Sequence, residues 1–217
     1  MDYLSKVSLA DKVRRDHIIK ISLVGSVCLL GLVLCIYSLV VQSFLFALWY
    51  ALAFILGLSY VVIRVNACFP TFLATDGEKV VLSVWENGIM PYTLPEKPNF
   101  LSDFVPEKIK TNEVPMEDIS SVILGSRKFL KKTVAEESYP EILKRLDENK
   151  HFDNVLKRMD FILVQTKNGE NCFMSITDFD ISGLAEFVSI IEKNCAGVQV
   201  QINIPKLVRL RNKRIDT

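Results

Sequence analysis

Between Lys20 and Arg64 the chain carries no Asp, Glu, Lys, Arg or His, and almost every position is apolar. As a single helix the stretch Ile21 to Ile63 would run about 65 Å at ~1.5 Å per residue. A bilayer core is only about 30 Å thick and needs about 20 residues. The pattern therefore predicts two crossings, one helix over Ile18–Val41 and a second over Phe44–Val65. Gln42-Ser43, the most polar point of the stretch, is where the chain would turn. Tyr37, Trp49 and Tyr50 flank that turn and Tyr60 lies toward the other boundary, the interfacial positions that aromatic rings favour. Small residues run along both segments: Ser22, Gly25, Ser26 and Cys28 on the first, and Ala47, Ala51, Ala53 and Gly57 on the second. Such residues let helices approach closely, so they predict the seam of the hairpin, with a dimer contact as the alternative. The run is far too long for the apolar core of a signal peptide. A buried hairpin in a soluble protein is the remaining alternative, and runs of this length point instead to the membrane. Cys68, just past the run, is a candidate acylation site, against the plainer reading of an unmodified cysteine.

Upstream, Ser8-Leu9-Ala10-Asp11 has the spacing of a capping box, which predicts a cytosolic helix over residues 1–17 leading straight into the first crossing. Lys6, Lys12, Arg14, Arg15 and Lys20 precede the first segment, Arg64 ends the second, and the turn between them is uncharged. By the positive-inside bias both termini are expected in the cytoplasm.

Past Pro70 the period changes. Lys79–Glu86 alternates, Asn87-Gly88 follows, and Ile89–Leu94 resumes the alternation; an Asn-Gly pair between alternating runs predicts a β-hairpin. Asp103–Pro115, with Pro106, Pro115 and many charges, reads as a loop, and Ile119–Leu130 as a strand pair or one long strand bent at Gly125. Ser138-Tyr139-Pro140-Glu141 is a helix start, with Ser as N-cap and Pro in the first turn. The apolar face of Ile142, Leu143 and Leu146 is out of phase with that of Phe152, Val155, Leu156 and Met159, so two short helices broken near Asn149–His151 are expected. A second hairpin spans Phe161–Thr166, Lys167-Asn168-Gly169 and Glu170–Ile176. Asp178 or Asp180 then caps a helix whose apolar residues Ile181, Leu184, Ala185, Val188, Ile191 and Cys195 keep helical spacing. Gly197 supplies its left-handed stop. Val198, Val200, Ile202 and Ile204 alternate as an edge strand ended by Pro205. Hairpins followed by one amphipathic helix predict an α+β domain over residues 71–204, with a helical insertion at 134–158 and a basic tail at 205–217.

Val114-Pro115-Met116-Glu117-Asp118-Ile119 resembles the entry into a middle strand of bacterial pleckstrin-homology-like domains. The closing Asn168-Gly169 hairpin and C-terminal helix are similar to the way those domains end, and many bacterial members carry a transmembrane helix pair in front. The resemblance covers residues 71–204 and implies a curved antiparallel sheet capped by a C-terminal helix. The 134–158 insertion departs from that pattern. The Glu86-Asn87-Gly88 turn lacks the basic cluster of phosphoinositide-binding members, so recognition of that lipid is not implied.

Bulk composition fits this division. Half of the 217 residues are hydrophobic while 24% are charged, and the mean hydropathy of +0.27 comes from the concentrated apolar run. A formal net charge of +1 argues against a nucleic-acid partner. The five cysteines form no CxxC pair or Cys/His cluster, so neither a metal site nor a redox dithiol is expected. No GxxxxGK[ST], GxGxxG or HExxH occurs. With only His17 and His151 available, no nucleophile–base set can be assembled, and neither catalytic residues nor a cofactor are expected. Basic groups are the remaining candidate chemistry, because cations beside an anionic leaflet attract it. The candidate membrane-surface contacts are Arg14, Arg15 and Lys20; Arg127, Lys128, Lys131 and Lys132 at a strand end; and Arg209, Arg211, Lys213 and Arg214 in the tail. The tail could also dock on a partner as a strand over Leu207–Arg211. The expected function is a non-catalytic, membrane-anchored, cytosol-facing binding module. Its partners would be the bilayer, anionic headgroups and an unidentified protein. The alternative is an accessory subunit whose helices are the main interaction surface.

Overall fold

The computed structural model describes residues 3–68, 71–85, 109–140, 143–144, 147, 157–195 and 197–215. The chain is α+β, with two long apolar helices near its N-terminus. It divides into two compact units, a helical hairpin beginning at Asp11 and a second unit that joins the first ten residues to the chain beyond the hairpin.

Helix α1 spans Asp11–Val40 and α2 Phe44–Cys68. Asp11 sits in the first turn, where a carboxylate offsets the positive end of the helix dipole. The reversal falls at Gln42, whose φ of 61° lies in the left-handed region, and Ser43 N–H closes it by donating to Ser38 O at 2.8 Å. The seam is made by a few small residues. A β-carbon added at Gly57 would stand 2.2 Å from Cys28 Sγ, Cys35 Sγ reaches Ala47 O at 3.4 Å, and Cys28, Ser38 and Ala47 are the buried positions. Gly25 has open space around it, and Ser22 and Ser26 are exposed, so only Cys28 of the small residues expected on α1 enters the seam.

The second unit holds two four-stranded sheets. The first has the order β1-β2-β3-β4, from Ser5–Val7, Phe72–Thr75, Lys79–Trp85 and Ile109–Pro115, all antiparallel. The chain crosses to the second sheet through a single 3-10 turn, Met116–Asp118, whose Met116 is buried. The second sheet has the order β7-β6-β5-β8, from β5 Ile119–Ser126, β6 Asp160–Thr166, β7 Asn171–Ser175 and β8 Gln199–Ile202. Its β5–β8 pair is parallel and the others antiparallel. Short helix α3, Arg127–Thr133, follows β5; α4, Ile181–Asn194, leads to β8; α5, Pro205–Ile215, ends the described chain. Both sheets and α4 contribute to one core, with Leu73, Leu82, Leu124, Ile162, Leu184 and Phe187 fully buried.

The α4 helix and the β6–β7 hairpin form as expected. The Asp180 carboxylate accepts from Gly183 N–H at 2.8 Å, Gly197 takes a φ of +82°, and Gly169, at +83°, turns the hairpin. Several boundaries differ. Residues 5–7, expected inside a pre-membrane helix over 1–17, are strand β1, and the helix starts at Asp11. Val7 is 2% exposed and registers with Leu73, so β1 gains a buried side chain and a ladder that a solvated helix would not offer. The expected loop Asp103–Pro115 contains β4, which pairs along the whole length of β3 although only Val114 of its described side chains is buried. The long strand expected to Leu130 ends at Ser126. Phe129 folds back until its ring would stand 2.6 Å from a β-carbon at Gly125, so any larger residue there would force the ring to shift. The tail is helical: Pro205 begins α5, and Leu207 is fully buried. The second unit is thus not confined to 71–204 but takes in residues 1–10 and the tail. Within the 134–158 insertion, Glu136–Ser138 is a 3-10 turn, and Leu143 and Lys144 both donate to Pro140 O in a helical start. Its break near Asn149–His151, like the Asn87-Gly88 hairpin and Ile89–Leu94, lies outside the described residues.

Candidate membrane-surface site

The expected basic groups are distributed over three helices, and their surroundings separate them. Arg14, Arg15 and Lys20 are exposed on the first turns of α1. In α3 the fully buried Leu130 fixes which residues point outward. Arg127 contacts Asp147 at 2.8 Å, with both side chains largely covered at 13% and 17% exposure, and Lys131 reaches the same carboxylate at 3.2 Å. Tyr139 is buried in the same cluster. Burial first, and the Asp147 charge second, push its phenol well above the ordinary range, so it stays neutral. Asp147 therefore ties the helical insertion to α3 and commits two of the four expected cations. Lys128 and Lys132 stay exposed, with no ion-pair partner among the described residues.

In α5 the anchor is Leu207. Arg211 pairs with Glu192 on α4 and is likewise committed, whereas Arg209 is exposed. Lys213 and Arg214 belong to the last turns of α5, and their side chains lie outside the described residues. Because Glu192 lies near the end of α4, α5 runs back alongside α4 and carries the later part of the tail away from its start.

Sheet topology brings several of these elements to one place. Strands β5 and β8 are parallel, so they finish at the same end of the second sheet, and α3 and α5 begin there. Strand β6 starts and β7 finishes at that end, since Ser126 registers with Asp160 and Phe161 with Ser175. Phe129 of α3 lies beside Asn203, and Asn203 N–H donates to Leu124 O at 2.8 Å. Asp160 is half-buried there, and burial raises its carboxyl above the ordinary value. The residues just before α1 arrive at the same end. Ala10 N–H donates to Asp178 O at 2.9 Å and Asp180 N–H to Ser8 O at 3.0 Å, in the segment that follows β7. Sequence reasoning missed this convergence because it depends on the parallel β5–β8 pair and on a ladder between strands on opposite sides of the hairpin.

The opposite end of the second unit is built from the turns around Asp76-Gly77, Met116–Asp118 and Lys167–Gly169, linked by Met116 N–H to Glu78 O and Lys167 N–H to Asp118 O. Asp76 accepts from Glu78 and Lys79 N–H, which hold its carboxyl below the ordinary value. Among the described residues no three His, Cys, Asp or Glu side chains gather as a metal-binding group. No family model, curated protein or solved structure matches this chain.

Proposed function

We propose that this chain is a two-span membrane protein that holds a non-catalytic, pleckstrin-homology-like binding domain at the cytoplasmic face. The observation that carries the reading is the β1–β2 ladder. Val7, just before the hairpin, registers with Leu73, just after it. Two strands that share hydrogen bonds lie on one side of a bilayer, so helices inserted between them cross an even number of times. Both helices are long and apolar enough to cross a bilayer. Large exposed apolar side chains are concentrated along them, Leu23 at 68% and Trp49 at 63% among them; elsewhere among the described residues only Leu4 and Leu210 are exposed. Water disfavours such a surface and lipid accepts it. The cations at the start of α1 support a cytoplasmic domain.

The pleckstrin-homology-like reading draws support from the order of elements: a four-stranded antiparallel meander, a corner at Met116–Asp118, a three-stranded meander and then a core-packed helix. The non-catalytic reading is supported by the polar clusters, which serve structure. Asp147 ties two helices and Asp180 caps one. A second reading, an accessory subunit contacting a partner through its helices, is favoured by Ser22, Gly25 and Ser26, small residues left outside the seam. Purification from membranes after replacement of α1 and α2 by an unrelated helix pair separates the two. A binding module keeps its partners; an accessory subunit loses them. Release of the native chain from membranes by alkaline carbonate would refute both.

A further inference from the structure

We propose that the end of the second sheet where α3 and α5 begin is a lipid-contact surface, docked on the anionic headgroups of the leaflet from which the hairpin enters. The inference rests on the membrane-anchored reading and adds which face of the domain meets the lipid. Three observations converge on that end. The chain leaves the unit for α1 from Ala10, which is hydrogen-bonded to Asp178 there, and it returns at Phe72, on the strand paired with β1. Lys128, Lys132, Arg158 and Lys206 are exposed on the elements that begin or end there, with no ion-pair partner among the described residues. Of the carboxylates there, Asp147 is committed to two cations, Asp180 to the α4 cap and Asp160 to a half-buried position, which leaves the exposed Asp178 against four exposed cations.

Charge at the opposite end has the other sign. Asp76, Glu78, Glu117, Asp118 and Glu170 line its turns, where they outnumber the exposed Lys167 and Lys193, while Glu192 is paired with Arg211 and Lys79 with Glu113. The unit is therefore polarised, with cations that have no ion-pair partner among the described residues in excess where the chain leaves for the hairpin, and carboxylates in excess at the other end. An anionic leaflet attracts the first end and repels the second within a screening length of about 10 Å at 0.1 M salt. The pattern also sorts the expected contacts. Lys128 and Lys132 belong to the lipid surface, whereas the largely covered Arg127 ties α3 to the insertion, Arg211 ties α5 to α4, and the exposed Lys131 is drawn to the same Asp147 carboxylate.

The test uses the full chain reconstituted into vesicles of phosphatidylcholine alone or mixed with phosphatidylglycerol, with a trace of headgroup-nitroxide lipid as quencher. A fluorescent residue replaces exposed Asn203 at the proposed surface or exposed Asn168 at the far turn. The expected result is several-fold stronger quenching at 203 than at 168 in the anionic vesicles. The excess should fall away in 1 M salt, where screening shortens to about 3 Å, and in phosphatidylcholine alone. Lys128→Glu, Lys132→Glu and Lys206→Glu together should abolish the excess, while Lys167→Glu with Lys193→Glu should preserve it. The lipid and salt comparisons use unmodified basic residues, so the test survives if the triple variant fails to fold. Equal quenching at the two positions in a chain that stays with the vesicles through an alkaline carbonate wash overturns this surface alone. Loss of the chain in that wash overturns the anchored reading as well. Release of residue 203 from the headgroups by inorganic phosphate at matched ionic strength would also overturn it, in favour of a soluble phosphate ligand.

Discussion

Val7 is the side chain that joins the strand before the hairpin to the domain after it, and its neighbour Gly183 allows the contact to be measured. Val7 is 2% exposed. A β-carbon built at Gly183 would lie 3.1 Å from Val7 Cγ1 and 3.2 Å from Asp180 Oδ2. Val7→Ala removes two buried methyl groups, about 1.6 kcal/mol at ~0.8 per group. A cavity term brings the expected loss to about 2–3 kcal/mol. Gly183→Ala alone combines a helix-propensity gain of about 1 kcal/mol with overpacking of about 1–3 kcal/mol, a net cost between about zero and 2 kcal/mol. In the Val7→Ala background the Val7 methyls are gone and only the Asp180 contact resists, so the second change should cost less than in the native chain. The double-mutant cycle, read from denaturant unfolding of the full chain in mild detergent, should give a favourable coupling above about 0.5 kcal/mol. Additivity within ~0.3 kcal/mol, or a silent Val7→Ala, would mean that residues 1–10 are not part of the domain.

Gly57→Ala places a methyl group against Cys28 Sγ and should weaken the hairpin by about 1–3 kcal/mol; adding Cys28→Ala should restore it, as read by the thermal transition of the helices in detergent. Asp180→Ala should cost about 1 kcal/mol by removing the α4 cap. The Ser182 hydroxyl, together with backbone N–H groups, holds the Asp180 carboxyl below its ordinary 3.8, so its contribution is present above that value and lost as pH falls through the depressed one. An Asp180→Ala penalty that persists unchanged in strong acid would count against this assignment. Asp160 has the opposite sign. Its carboxyl is raised by burial, so its relative contribution is full below pH 3.8 and is lost as pH rises through the raised value. Asp160→Asn should therefore raise the melting temperature at neutral pH and leave it unchanged below 3.8, and a neutral-pH loss would contradict the burial argument.

Elements with strong local signals were legible in the sequence. The uncharged run gave both long helices and their turn at Gln42; the Asn168-Gly169 pair gave the β6–β7 hairpin; apolar spacing gave α4 with its Asp180 cap. Non-local elements were hidden. Strand β1 is three residues long, too short for a period, and its partner lies beyond both helices. Strand β4 carries Lys110 and Glu113 outward and resembles a loop unless its ladder with β3 is known. The β2–β3 turn holds Asp76-Gly77, a hairpin signal of the same kind as Asn-Gly. Pro205 fits the end of a strand or the first turn of a helix, and the Leu207, Arg209, Arg211 alternation favoured the strand. Burial of Leu207 decides for the helix. The basic clusters were visible as composition, but the division between committed and exposed cations was not. That division depends on Asp147 and Glu192, which lie far along the chain from the cations they hold.

Side-specific labelling tests the central claim most directly. A cysteine at Gln42 and one at Asn168, each introduced after the native cysteines are replaced, would be exposed to a membrane-impermeant maleimide in sealed right-side-out and inside-out vesicles. Helices that cross a bilayer between two paired strands place residue 42 within reach only in right-side-out vesicles and residue 168 only in inside-out ones. Labelling of both residues from the same side would contradict the account.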